Sequence, residues 1–334
     1  MMIRLRLATL ALLSTMTSWA PAAAQDLGIT VYSAQHAGLT QKWADAFLED
    51  SGIPVTIRKG SDILMANQIL QEGEHSPADV FLTENSPAMT MVDRAGLFAP
   101  VNPETLAAVP QEFRPASGNW TGIAARTTIF VYNTDMVGEK DLPKSMLDLA
   151  APEWKGRWGA APAGADFQAI VSALLQLRGS DETATWLAGL KQNAIAYRGN
   201  FEAMRGANVG EVAGSLIYNY YYFGDQAGTG ESSDKLKVHY FRNGDPGAFV
   251  SISGGGVLKS SHNPEAAQAF LAFITGPEGQ AILRDGKTFE YAIGSGIKPN
   301  AALPPLDTLG YPKVDPSLLN AQDVVRLMTE AGVM

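Results

Sequence analysis

The chain has 334 residues, no cysteine, four histidines, and 34 acidic against 25 basic side chains, giving a formal net charge of −9. Without cysteine it forms no disulfide framework and carries no lipid anchor, so its stability must come from a large core, which this length supplies. The acidic balance and the lack of a basic patch disfavour nucleic acid and attract cations, and the length suggests two domains.

In chain order, Arg4 and Arg6 precede an apolar run over 7–13, and a small-residue stretch ends in Ala22-Ala23-Ala24 before Gln25. This pattern predicts a cleavable secretory signal over 1–24, too short to span a membrane, with a mature chain free in solution. Ile29-Thr30-Val31-Tyr32 then predicts a strand, and residues 39–48 have the 3.6-residue period of an amphipathic helix. A strand over 55–57, a helix over 61–72 and a strand over 79–82 follow, the last ending in Thr83-Glu84-Asn85. Strands alternating with helices predict an α/β fold with a parallel sheet covered on both faces. Ligands bind such sheets beyond the carboxyl ends of their strands. His36 and Glu84 therefore belong on one sheet edge.

Residues 129–133 predict a further strand, after which a second lobe begins. Its expected elements are helices over 167–177 and 182–190 and a strand over 215–217. Residues 249–258 read as a strand pair interrupted by Gly254-Gly255-Gly256, followed by helices over 264–274, from Pro277, and over 316–330. No nucleophile elbow, Walker loop, dinucleotide fingerprint or H-E-x-x-H pair is present. His75, His239 and His262 lie in turns or an alternating strand, where solvated or partner-bonded rings are the default. Gly164-Ala165-Asp166-Phe167 opens a helix whose first N–H groups could hold an anion, with Asp166 equally able to act as its cap.

The densest signal is Tyr218-Asn219-Tyr220-Tyr221-Tyr222-Phe223. Phenolate is a hard anionic oxygen donor suited to a small trivalent cation. With an ordinary pKa of about 10, tyrosine ionises near neutrality only beside strong positive charge. Neighbouring strand residues face opposite ways, so Tyr220 and Tyr221 can converge on one site only at a turn or helix start. A packed aromatic cluster is the competing reading.

Together with Val31-Tyr32-Ser33-Ala34-Gln35-His36, Pro77-Ala78-Asp79-Val80-Phe81-Leu82-Thr83-Glu84, Trp154-Lys155-Gly156 and Asp245-Pro246-Gly247-Ala248, this run resembles the periplasmic ferric-ion-binding proteins, the substrate-binding components of Fe³⁺ ABC importers. The resemblance covers nearly the whole mature chain. It implies a two-lobed periplasmic binding protein fold of type II-like architecture, with two α/β lobes joined by crossover hinge strands. The first lobe is expected over 25–126 and 251–300, the second over 127–250 and 301–334. It further implies a monomer in the periplasm that performs no catalysis and hands Fe³⁺ to an inner-membrane permease. The implied metal ligands are His36, Glu84, Tyr220 and Tyr221, with Tyr218 or Tyr222 as a possible extra phenolate. A small synergistic anion, carbonate or phosphate, would complete the shell, with Asn85, Arg126, Gly164, Ala165 and Asn200 as its contacts. Phosphate-using relatives place Ser-Gly-Ala at the helix start and asparagine two residues before the tyrosine pair. Here those positions hold Gly164, Ala165 and Asp166, and Tyr218, which favours a smaller anion. An organic-solute binder of the same fold and a secreted metallohydrolase using His36 and Glu84 are the alternatives.

Overall fold

The computed structural model describes residues 28–334. The expected signal segment lies outside them. The strands are β1 (Ile29–Ser33), β2 (Val55–Lys59), β3 (Val80–Leu82), β4 (Thr121–Asn133), β5 (Trp158–Ala160), β6 (Ala194–Ala196), β7 (Gly214–Tyr218), β8 (Leu236–His239) and β9 (Val250–Val257). The helices are α1 (Ala37–Ser51), α2 (Asp62–Glu72), α3 (Ser86–Arg94), α4 (Pro103–Ala107), α5 (Ala165–Asn193), α6 (Asn200–Asn208), α7 (Asn219–Gln226), α8 (Pro264–Thr275), α9 (Pro277–Asp285) and α10 (Ala321–Glu330). Among the described residues no helix is long and apolar enough to cross a membrane.

Strand order is β2-β1-β3-β9-β4-β7-β5-β6, with β8 also on β4. β1 runs parallel to β2 and β3, as the βαβ pattern predicts. β7, β5 and β6 are likewise parallel to one another. β4 links the two groups: Thr121 to Thr127 pair with β9, and Thr128 to Asn133 pair with β7 and β8. The result is two α/β lobes sharing long crossover strands.

Alternation along the strands builds a core on each sheet face. Val31, Val80 and Leu82 pack with Trp43, Phe47 and Phe270 on one side. Tyr32 and Phe81 pack with Met89, Phe98 and Trp120 on the other. In the second lobe Phe130 and Leu216 face Trp158 and Phe167, whereas Ile129, Val131 and Ile217 face Met204. Period-two side chains on a doubly covered sheet give this division directly.

Three expectations are corrected. The predicted strand pair over 249–258 is one uninterrupted strand, β9. Its glycines allow close packing: a Cβ on Gly254 would collide with Met89, and one on Gly256 would lie 2.7 Å from Phe98 Cε1. The C-terminal helix starts at Ala321, not 316, because Asn320 caps it, its Oδ1 accepting the N–H groups of Gln322 (3.0 Å) and Asp323 (3.1 Å). β4 reaches back to Thr121; its first half buries Thr121, Arg126 and Thr127, which carry no apolar alternation. The two helices expected over 167–190 are the halves of α5, broken where Gly179 adopts φ 80°.

Candidate metal centre

Four element ends meet between the lobes. β1 delivers His36, which precedes α1 and makes no side-chain cap, so its ring stays available. β3 delivers Glu84, whose N–H is held at 2.9 Å by the Asp62 carboxylate. From the second lobe, β7 leads into α7, with Tyr218 as its N-cap residue and Tyr220 and Tyr221 in its first turn. This is the helix start that lets neighbouring tyrosines converge. α5 begins after Gly164 and presents Asp166, which makes no helix-capping bond.

His36 Nδ1 lies 3.2 Å from Glu84 Oε1. The Tyr220 hydroxyl donates to Asp166 Oδ2 at 2.8 Å, and Tyr221 donates to the same oxygen at 3.3 Å. The two tyrosine rings sit 4.2 Å apart, and the His36 ring meets Tyr220 edge-on at 4.9 Å, which brings both halves of the site together. Donors about 2.0–2.1 Å from a small first-row ion stand about 2.9 Å apart when adjacent in an octahedron. The three polar contacts, at 2.8–3.3 Å, have hydrogen-bond lengths that bracket that spacing. Among the described residues no group of three or more His, Cys, Asp or Glu side chains is placed to hold a metal ion.

Asn85 bridges the lobes: its Nδ2 donates to Asp62 Oδ2 (3.2 Å) and Asp166 Oδ1 (3.0 Å), while its Oδ1 accepts from Ser251 Oγ (2.9 Å). Asn200 Nδ2 donates to Asp166 Oδ2 at 2.9 Å and reaches the Tyr221 hydroxyl at 3.4 Å. Gly164 N–H is spent on the Ala161 carbonyl at 2.9 Å. Ala165 begins α5 and lines a cleft of about 580 Å³ with Ser61 and Asp62. Arg126 is fully buried and paired with Glu290, and its Nη2 donates to Ser253 Oγ at 2.7 Å. Tyr218 is buried, with its hydroxyl 3.5 Å from Asn85 Oδ1. The structure turns Tyr222 away, its hydroxyl donating to the Leu236 carbonyl at 3.3 Å.

Burial, and then the Asp166 charge, push the Tyr220 and Tyr221 hydroxyls above their ordinary value. The same two causes raise the Glu84 carboxyl. Burial also raises Asp62, to about 6. Burial opposes the charge on Arg126, but Glu290 and then Glu84 outweigh it and hold the guanidinium charged. Burial and the neighbouring negative charge thus favour the protonated forms of Tyr220, Tyr221 and Glu84.

Sequence reasoning did not find that Asp166 unites both phenols, nor the parts played by Asp62 and Glu290. Asp166 and Asp62 stand near helix starts, where a cap is the ordinary reading. Glu290 lies outside any motif and reaches the site only through tertiary packing.

The family described as bacterial extracellular solute-binding protein matches residues 75–307. The chain belongs to that family. It is 56% identical over 315 residues to the Fe(3+)-binding periplasmic protein of Serratia marcescens, covering 94% of this chain and 93% of the relative. It is 35% identical over 325 residues to the major ferric iron-binding protein of Neisseria meningitidis serogroup B, covering 96% and 97%. Iron-bound HitA from Pseudomonas aeruginosa matches with a TM-score of 0.85 at 41% identity, over 91% of this chain and 99% of that one. The expected two-lobed α/β fold is thus shared with solved solute-binding proteins. Like its relatives, the chain is a binding protein and not an enzyme.

Proposed function

We propose that this chain captures Fe³⁺ between its two lobes in the periplasm and, as a monomer, presents it to the permease of an inner-membrane ABC importer. One observation carries the reading: two phenol hydroxyls share one carboxylate oxygen directly across from a histidine–glutamate pair. The ligands are His36, Glu84, Tyr220 and Tyr221. Support also comes from the names of the relatives, which are ferric-ion-binding proteins at 56% and 35% identity. We place the lobe division near residues 127 and 250, where β4 changes sheet partners and β9 begins.

Asp166 takes the part of the small anion in this proposal. Its carboxylate already contacts both phenols and both candidate anion-binding asparagines. With Glu84 and two phenolates it supplies four negative charges to Fe³⁺, so the metal needs no carbonate or phosphate for charge balance. An organic cation is a poorer fit, because the Tyr220 ring lies tilted against Tyr221 at 4.2 Å and meets the edge of His36, leaving no open aromatic cage. A thermal-shift comparison tests the reading: Fe³⁺ raises the melting temperature, whereas polyamines, thiamine and phosphonates do not. A shift with an organic solute and none with Fe³⁺ would refute it.

A further inference from the structure

Glu290 lies behind the metal centre. Its side chain is fully buried. Oε1 is engaged by Arg126 Nη2, with Gln35 Nε2 at 3.4 Å and Ser253 Oγ at 3.5 Å. Oε2 has no hydrogen-bond partner, and it faces His36 Nε2, which is also buried and without one, at 3.9 Å. The other ring nitrogen of His36 faces Glu84.

The backbone that places Glu290 is strained. Phe289 adopts φ 53°, a left-handed conformation that is unfavourable for a bulky side chain. It is held there from both lobes. The Phe289 carbonyl accepts from Asn219 Nδ2 at 2.8 Å, and Tyr291 exchanges backbone bonds of 3.0 and 2.7 Å with Ala125. Asn219 immediately precedes Tyr220 and also accepts the Thr127 N–H at 2.8 Å. Strain of this kind persists where surrounding contacts over-determine it, and it gathers at functional sites. A buried ion pair is weak evidence for a stabilising role, and stability alone does not account for a free carboxylate oxygen aimed at a free imidazole nitrogen.

We propose that Glu290 is a positioning residue for metal capture. Its free oxygen receives the His36 Nε2–H, leaving the Nδ1 lone pair beside Glu84 for the metal. A shift of about 1 Å closes the 3.9 Å gap to hydrogen-bond length. Arg126 occupies the other oxygen and balances the charge, so Glu290 orients the ligand without competing to become one. Histidine ligands are commonly fixed through their second nitrogen in this way, and losing the outer partner costs about 10–100-fold in metal affinity.

The inference rests on the Fe³⁺ reading, and the test keeps the two separable. Fe³⁺ affinity is measured by citrate competition in the wild type, Glu290→Gln, His36→Gln and the double variant. Glu290→Gln is expected to weaken binding about 10–100-fold while keeping the tyrosinate colour. Placed in His36→Gln, it should add almost nothing, since its partner is gone. Unchanged affinity in Glu290→Gln, or an equal loss in both backgrounds, would overturn the role. If Glu290→Gln fails to fold because Arg126 is left unpaired, Arg126→Met/Glu290→Gln carries the same cycle. Imidazole ¹⁵N spectra of the gallium-loaded wild type give a second arm: a proton on Nε2 is expected, and a metal-bound Nε2 contradicts the proposal. A wild type that takes up no Fe³⁺ removes both readings, whereas one that binds iron and matches Glu290→Gln removes only this one.

Discussion

The two halves of the site hold their donors differently. In the first lobe, His36 and Glu84 leave neighbouring parallel strands, and separate buried carboxylates stand behind them: Asp62 on the Glu84 backbone and Glu290 facing the His36 ring. In the second lobe, the donors are bonded to each other, Tyr220 and Tyr221 both donating to Asp166. The first half fixes direction. The second half stores protons that must leave before the phenols can ligate. In the proposed site a trivalent cation is favoured over a divalent one, because a high charge density best repays removing two protons from buried tyrosines.

Substitutions can break this contrast in a graded order. Tyr220→Phe and Tyr221→Phe should have the largest effect. Each removes a proposed direct ligand, so affinity should fall beyond the roughly 100-fold ceiling of outer-shell changes, and the visible absorption of loaded protein should largely vanish. Asp166→Asn comes next: it keeps the shape but removes the charge, and should weaken binding on the order of 100-fold. Iron titration of this variant should recover on adding phosphate or carbonate, whereas the wild type should be indifferent to either.

The pH response separates the halves by sign. Because ligands bind iron deprotonated, iron affinity should fall as pH drops, as followed by release to a chelator. The metal-free fold should respond oppositely through Glu84. Its folded pKa is raised above the ordinary 4.5, to about 9. Its contribution to stability is therefore complete below 4.5 and declines as pH rises toward 9. Melting of apo Glu84→Gln across that range should show a flatter decline than the wild type. The smallest effect belongs to Tyr222→Phe. With its hydroxyl on Leu236, it should leave iron colour and affinity unchanged and shift stability by no more than about 0.5–1 kcal/mol. A loss of colour there would redraw the second half of the site.

Legibility in the sequence followed the same division. The βαβ periodicity placed β1 and β3 side by side, which was enough to put His36 and Glu84 on one edge. The tyrosine run announced itself by composition, and the helix-start condition for its convergence is met at Asn219. Residues whose role depends on tertiary contacts between elements distant in sequence were hidden. Asp166 reads locally as a helix cap, and only the approach of α7 to α5 makes it the acceptor of two phenols. Glu290 has no local pattern at all, since its placement depends on Phe289 being held by Asn219 and on β4. The long first half of β4 escaped because buried threonines and an arginine imitate a surface segment.

The central claim is that two adjacent tyrosines surrender their protons to one ferric ion. Titrating stripped protein with Fe³⁺ in buffer free of phosphate and carbonate, while recording the visible spectrum, tests this most directly. The account predicts an orange-to-red phenolate-to-iron band that saturates at one ion per chain, with proton release accompanying uptake. A colourless complex, or iron bound with both rings still protonated, would contradict it.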